Sequence, residues 1–275
     1  MLSSIKDTVI KYNLSAKKSL GQNFIYDEVL LNRIVRASKN FDVSDNAVVE
    51  VGPGPGGLSR AILDGGFGRL IVIEKDSRCL AALYELKDLY KERLEIIEDD
   101  ALNVDWRRIV PEKSRVIANL PYNIGTELLL TWLKNCDFFS SFTLMFQKEV
   151  GERICAEPGT KKYGRLSVLA NWLCETKIAF DVSKDCFNPP PKVTSSVVLL
   201  KPRFSVFPSS PQLATVEKLT AEAFSSRRKM LRASLFKRMP KAEAAFSHLN
   251  IEGSLRPENV SVNDFIAAAR LFEND

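Results

Sequence analysis

The sequence predicts an α/β fold: a doubly wound, mostly parallel seven-stranded sheet of Rossmann-like type, followed by a small C-terminal all-helical domain. Three observations lead there. Short, continuously apolar, β-branched runs recur along the first part of the chain. Helical periodicity fills the gaps between them. Beyond a stretch rich in proline and serine, only helical periodicity remains.

The strands are read at 47–51, 70–74, 94–97, 115–119, 142–146, 177–182 and 195–201. Continuous rather than alternating apolar runs mark strands covered on both faces, as in a parallel sheet. Helices are read at 27–38, 58–63, 77–90, 126–133, 148–156 and 163–175. No helix separates the last two strands, so that pair is expected to be antiparallel. Pro202, Pro208, Ser209, Ser210 and Pro211 mark a linker. Helices follow at 211–224, 226–238, 241–248 and 262–271. The expected domains are residues 1–203, with an N-terminal arm at 1–25, and residues 204–275.

The 275 residues are 45% hydrophobic and 27% charged, an ordinary globular composition that excludes disordered and collagen-like classes. No apolar run approaches the roughly 18 residues of a membrane span. The N-terminus lacks a signal-peptide core. A cytoplasmic protein with no membrane partner is expected. Cys79, Cys136, Cys155, Cys174 and Cys186 form no CxxC pair and have mostly apolar neighbours, so buried, reduced thiols are expected. His248 is the single histidine, a surface or packing residue with no partners for a metal cage or a triad. No metal is expected. A monomer is expected, because no apolar surface seam stands out.

The net charge of +5 is uneven: residues 201–275 hold twelve basic and eight acidic residues. The run RRKMLRASLFKR at 227–238 contains six cations and no anion. As a helix it would place Arg228, Lys229 and Arg232 on one face and turn Met230, Leu231, Leu235 and Phe236 to a core. A solvated face is the bland account of such a run. Six cations in about three turns repel one another, and a phosphate backbone relieves that repulsion.

After the first strand comes Glu50-Val51-Gly52-Pro53-Gly54-Pro55-Gly56-Gly57. Gly52, Gly54 and Gly57 satisfy GxGxxG, and Glu74 ends the next strand 22 residues after Gly52. That is the spacing of a dinucleotide site. Pro53 and Pro55 have no N–H, however, and Glu50 is expected to repel a dianion. The loop suits a ligand of low anionic charge with a cationic centre. Glu74 can accept both hydroxyls of a ribose, and the Asp99-Asp100 pair can accept from an adenine amine. A nucleoside with a positive charge is S-adenosylmethionine. The plain alternative for Asp99-Asp100 is a solvated turn.

The fourth strand ends Asn119-Leu120-Pro121-Tyr122. Ligands of open α/β sheets sit at the carboxyl ends of strands. Asn119 offers a side-chain carbonyl. Pro121 biases Leu120 to an extended shape, so that its carbonyl can project. Tyr122 offers a ring face. Two acceptors and an aromatic at one place suit methylation of an adenine amine. The plain alternative is a turn that ends a strand.

The motifs GQNF at 21–24, EVGPGPGG at 50–57, NLPYNI at 119–124 and FNPPPKVTS at 187–195 resemble those of the ribosomal RNA adenine N6-dimethyltransferases. KKSL at 17–20, QKEV at 147–150, YGRLS at 163–167 and RRK at 227–229 extend the resemblance over nearly the whole chain, and Leu120, YGRLS and RRK favour the small-subunit branch. Thr194 stands where an acid or amide is expected.

The resemblance implies a class I S-adenosylmethionine-dependent methyltransferase fold and a set of roles. Asn23, Ile25, Gly52, Glu74, Asp100 and Asn119 would contact the cofactor. Asn119 and the Leu120 carbonyl would hold the target amine. Tyr122 and Phe187 would clamp the base, Phe187 from the rim. Lys17, Lys18, Arg165, Arg227, Arg228, Lys229 and Arg232, with Lys161 and Lys162, would grip phosphates. The implied substrate is two adjacent adenosines in a hairpin near the 3′ end of small-subunit (16S) ribosomal RNA, in an assembling 30S particle. Three alternatives stay open. They are a large-subunit dimethyltransferase of the antibiotic-resistance type, a non-catalytic ribosome assembly factor and a dinucleotide-dependent oxidoreductase.

Overall fold

The structure is a computed structural model that describes residues 3–17, 20–41, 43–204, 211–226 and 228–274. Its strands are β1 (Phe24–Ile25), β2 (Val48–Val51), β3 (Leu70–Glu74), β4 (Leu94–Glu98), β5 (Ser114–Asn119), β6 (Phe139–Gln147), β7 (Cys174–Val182), β8 (Phe187–Asn188) and β9 (Ser195–Pro202). Seven of them form one sheet in the order β4-β3-β2-β5-β6-β9-β7, while β1 and β8 form a small antiparallel ladder. β4, β3, β2, β5 and β6 are mutually parallel, and β9 runs antiparallel to β6.

Every residue of β2 and β3 is buried, which accounts for their unbroken apolar sequences. β7, at one edge of the sheet, mixes buried and exposed positions. Helices cover the sheet. They are α1 (Ile5–Lys11), α2 (Glu28–Ser38), α3 (Gly57–Asp64), α4 (Ser77–Tyr90), α5 (Trp106–Ile109), α6 (Gly125–Lys134) and α7 (Lys148–Ile154). Asp27 starts α2 by accepting from the Val29 and Leu30 N–H groups, and Asp76 starts α4 by accepting from Arg78 N–H. Trp132 of α6 stacks on Phe142 of β6 with ring centres 5.9 Å apart, and Trp106 meets Trp132 edge-on at 5.4 Å.

The remaining helices are α8 (Arg165–Leu173), α9 (Leu213–Ala223), α10 (Leu235–Arg238), α11 (Pro240–His248) and α12 (Val262–Asn274). The chain forms two compact units, residues 1–151 with 177–201 and residues 152–176 with 202–275. The sequence boundary at 203 kept α8 in the first domain, whereas α8 packs with α9 and α12. Leu166, Ser167, Val168, Leu169, Ala170, Trp172 and Leu173 of α8 are buried, so it needs apolar cover on nearly all sides.

The helix expected at 226–238 does not form. Met230 is extended, a 3-10 turn spans Leu231–Ala233, and α10 is a single turn. Backbone bonding across the chain replaces bonding along a helix: Leu231 N–H donates to the Leu255 carbonyl at 2.8 Å and Arg232 N–H to the Gly253 carbonyl at 3.0 Å. Leu231, Leu235 and Phe236 are buried as expected, whereas Met230 is exposed. Arg238 pairs with Glu222 of α9 at 2.9 Å, so the run does meet an anion.

His248 is exposed. None of the five cysteines is in a disulfide; Cys79, Cys136 and Cys174 are buried, whereas Cys155 and Cys186 are only half-buried. Pro208, Ser209 and Ser210 of the linker lie outside the described residues. Among the described residues, no helix is long and apolar enough to cross a membrane, and no cluster of three His, Cys, Asp or Glu side chains is arranged to hold a metal ion.

Candidate active site

A cleft opens at the carboxyl ends of β2, β3 and β5. Gly52, Gly54, Glu74, Asp100, Asn119 and Tyr122 line it, together with Asn23 from the chain that precedes β1. Sequence reasoning named six of them as site residues, and Gly54 only as a glycine of the loop. The parallel sheet brings six of them together, because their positions end or follow strands at the carboxyl side, while Asn23 comes from the segment before β1.

The glycine loop has little left to offer a phosphate. Gly52 N–H donates to the Ile73 carbonyl at 3.0 Å and Gly56 N–H to the Pro53 carbonyl at 3.0 Å. Gly54 N–H donates to Glu74 Oε2 at 2.9 Å. With Pro53 and Pro55 lacking donors, five successive positions present no free amide. Gly54 is required twice over: its φ is +55°, and a Cβ there would stand 3.0 Å from the Phe24 ring.

The carboxylates suit a nucleoside. Glu74 is buried, its Oε1 accepting from Asp76 N–H at 2.7 Å and its Oε2 from Gly54 N–H. Each oxygen retains a second lone pair, which is what a ribose diol needs. Burial pushes the Glu74 pKa up, against those two N–H donors. Asp100 Oδ2 accepts from Lys75 at 2.5 Å and Oδ1 from Leu102 N–H at 3.1 Å. The Lys75 bond holds Asp100 below its ordinary pKa, so it stays an acceptor. Asp99 is exposed and accepts from Asp100 N–H.

Glu50 does not act as expected. Only 2% of it is exposed, Ser59 Oγ donates to its Oε2 at 2.5 Å, and burial raises its pKa to about 8. At neutral pH it is largely protonated and repels nothing. The engaged loop amides, rather than a charge on Glu50, disfavour a dianion.

Asn119 ends β5, and its Nδ2 donates to the Asn23 carbonyl at 3.2 Å. That bond settles which end of the amide is engaged and leaves Oδ1 as an acceptor. Leu120 and Tyr122 also line the cleft. The Tyr122 hydroxyl bonds Ser195 Oγ at 2.5 Å, which fixes the ring. Burial raises the Tyr122 pKa, against the Ser195 hydrogen bond. Gly21 lets the preceding chain pack on this loop: its φ is +64°, and a Cβ would lie 2.4 Å from Asn123 Oδ1 and 3.2 Å from Tyr122 N.

Two expected site residues have buried side chains. Ile25 and Phe187, 5% and 4% exposed, face each other in the β1–β8 ladder and belong to the apolar core. Neither lines the cleft. The Phe187 ring, expected at a rim, is buried where its strand pairs with β1. Sequence reasoning also missed Gln22, Asp76 and Ser195. Gln22 lay within GQNF and Ser195 within KVTS, but pattern alone does not reveal a partner distant in sequence.

Lys17, Arg228, Lys229 and Arg232 are exposed. Arg165 pairs with Glu217 at 3.2 Å, and Lys162 pairs with Glu152. Lys18 and Arg227 lie outside the described residues. The Thr194 carbonyl accepts from Lys148 N–H at 2.9 Å, so the loop that departs from the expected sequence is tied by its backbone.

Residues 13–274 match the family described as ribosomal RNA adenine dimethylase. The chain belongs to that family. It is 51% identical to "Ribosomal RNA small subunit methyltransferase A" of Xanthobacter autotrophicus, over 98% of this chain and 94% of that protein. It is 47% identical to the protein of the same name from Rhodospirillum rubrum, over 98% and 92%. A dimethyladenosine transferase from Plasmodium falciparum has a similar structure, with a TM-score of 0.78 and 27% identity over 91% of this chain and 98% of that one. The 23S rRNA methyltransferase ErmE shares the fold, with a TM-score of 0.66 and 24% identity over 91% and 100%.

The adenine dimethylase family uses S-adenosylmethionine, and the sheet is that of class I methyltransferases. The cleft fits that cofactor by its acceptors: spare carboxylate lone pairs at Glu74 and Asp100, and a loop whose engaged amides leave little for a pyrophosphate. The dinucleotide reading of the glycine loop falls with it.

Proposed function

We propose that this chain dimethylates N6 of two adjacent adenosines in a hairpin near the 3′ end of small-subunit ribosomal RNA. It acts in the cytoplasm, as a monomer, on an assembling 30S particle. The relatives named for the small subunit support the choice of substrate, at 51% and 47% identity over nearly the full chain. The observation that carries the chemistry is the Asn119 amide, held by Asn23 at the head of the cleft with the Tyr122 ring beside it.

When bound, S-adenosylmethionine supplies a methyl group on a sulfonium, an electrophile that is already activated. Glu74 and Asp100 would hold its nucleoside end. Asn119 Oδ1 and the Leu120 carbonyl accept the two N6 protons of the target adenine, which favours a more tetrahedral nitrogen and frees its lone pair. Tyr122 stacks on the base, which must leave its helix to reach the cleft. Orientation and fixed dipoles supply the rate. No side-chain base is needed, because the N-methylated ammonium is acidic enough to lose its proton to water.

The test is mass spectrometry of nucleosides after incubation with labelled S-adenosylmethionine and unmethylated small-subunit particles, with large-subunit RNA in parallel. Labelled dimethyladenosine in the small-subunit sample alone is expected. Label in the large-subunit RNA alone would move the chain to the resistance type, and no label in either would leave an assembly factor.

A further inference from the structure

Between the ribose end of the cleft and its amide end runs a chain of polar groups that the methyl transfer itself does not use. Arg78, in the first turn of α4, grips both oxygens of Asp76: Nε donates to Oδ1 at 2.9 Å and Nη2 to Oδ2 at 2.5 Å. Asp76 is 6% exposed. Its own N–H donates to Glu74 Oε1 at 2.7 Å. In the other direction, Gln22 Nε2 donates to Asp76 Oδ2 at 3.0 Å. Gln22 Oε1 accepts from Lys17 N–H at 3.0 Å, and Arg78 Nη1 donates to the Ser15 carbonyl at 3.2 Å. The next residue, Asn23, supplies the carbonyl that holds Asn119.

We propose that Gln22, Asp76 and Arg78 are positioning residues that couple the ribose acid Glu74 to the orientation of Asn119. The inference rests on the reading of the cleft as a methyl-transfer site. A glutamate with two free hydrogen-bond sites rotates about its own χ angles. Glu74 does not, because the Asp76 and Gly54 N–H groups hold one oxygen each. The Asp76 backbone is fixed in turn by its side chain, which caps α4 and is pinned by Arg78. Gln22 then ties the segment carrying Asn23 to the same carboxylate.

The charge on Asp76 is part of the device. Burial works to raise its pKa, but the hydrogen bonds from Arg78 and Gln22 outweigh burial and hold it below the ordinary value. It therefore stays ionised, able to accept from both partners at once. The apolar contacts nearby, Leu14 and Phe24 against Cys79 and Ala82, hold the segment close to α4 without setting its register. The polar chain sets the register. Occupation of Glu74 and alignment of Asn119 thus become a single event.

The test compares wild type with Gln22→Met, Arg78→Ala and the double variant. It reads S-adenosylmethionine affinity by calorimetry without RNA, then kcat and KM with particles, then the thermal midpoint. Gln22→Met keeps the side-chain length and removes the hydrogen bonds. It is expected to lower kcat about tenfold at saturating cofactor, through misalignment of Asn119, and to weaken cofactor binding severalfold. Arg78→Ala is expected to weaken binding about tenfold or more, and Arg78→Lys, which keeps the charge without the fork, to recover only part of it. The double variant should lose less than the product of the two single losses, because both act through Asp76. Wild-type kcat and affinity in a folded Gln22→Met protein would overturn the coupling. So would independent losses in the double variant. If wild type binds the cofactor yet methylates neither RNA, the proposed reaction fails while the binding cycle still judges the coupling.

Discussion

Asn119 Nδ2 donates to the main-chain carbonyl of Asn23 at 3.2 Å, so a residue 96 positions earlier orients the amide that ends β5. The bond engages the donor end and leaves the acceptor end for a substrate amine. Asn119→Ala is expected to abolish methyl transfer while cofactor affinity, which also draws on Glu74 and Asp100, falls by less than about tenfold. Single-turnover assays beside calorimetry check this; full transfer by the variant would remove Asn119 from the chemistry.

Tyr122 carries two separable features, a ring beside the cleft and a hydroxyl bonded to Ser195 Oγ at 2.5 Å. If the ring stacks on the target base, Tyr122→Phe retains most of kcat and Tyr122→Ala loses at least about tenfold. Equal losses in both variants would assign the residue to the Ser195 bond instead.

Glu50 predicts a pH dependence of stability. In the folded chain it keeps its proton to about pH 8, against 4.5 as its ordinary value. Between those values the folded state binds more protons than the unfolded state. The contribution of this group therefore declines as pH rises from about 5 to about 8 and is level above that. Glu50→Gln preserves an acceptor for Ser59 and removes the titration. It is expected to stabilise the protein above pH 8 and to change its stability little at pH 4.5. Urea unfolding at three pH values checks the trend, and a pH-independent difference would contradict it.

The exposed cations of the second unit predict a salt effect. Replacement of Arg228, Lys229 and Arg232 by alanine is expected to weaken RNA binding and to flatten the plot of log affinity against log salt. The slope should fall by about 0.7–0.9 for each phosphate that is no longer neutralised. Cofactor affinity should not change. An unaltered slope would return these residues to plain solvated surface.

Much of this arrangement was legible from residues alone. Seven strands were placed within a few positions, because parallel strands buried on both faces leave unbroken apolar runs. Glu74, Asp100 and Asn119 were legible because each ends or follows a strand at the side where such sheets bind ligands. The failures have a common cause. Phe187 was placed at a rim, but pairing with Ile25 buries it. The run at 226–238 has helical periodicity, but bonds to Gly253 and Leu255 break it. Glu50 was given a charge that burial removes. Each depends on a contact with a segment far away in sequence.

What the sequence by itself determined is the class of chemistry: an α/β sheet, a glycine-proline loop poor in donors, acids at strand ends, and an Asn-Leu-Pro-Tyr turn. These follow from local pattern and from the chemical inventory of side chains. Only the tertiary structure decided how those groups are aimed. It ties Asn23 to Asn119, Gln22 to Asp76 and Tyr122 to Ser195. It also buries Glu50 and consumes the amides of the glycine loop. The physical reason is that protonation and hydrogen-bond direction depend on which groups surround an atom once water has been excluded, and folding alone assembles those surroundings.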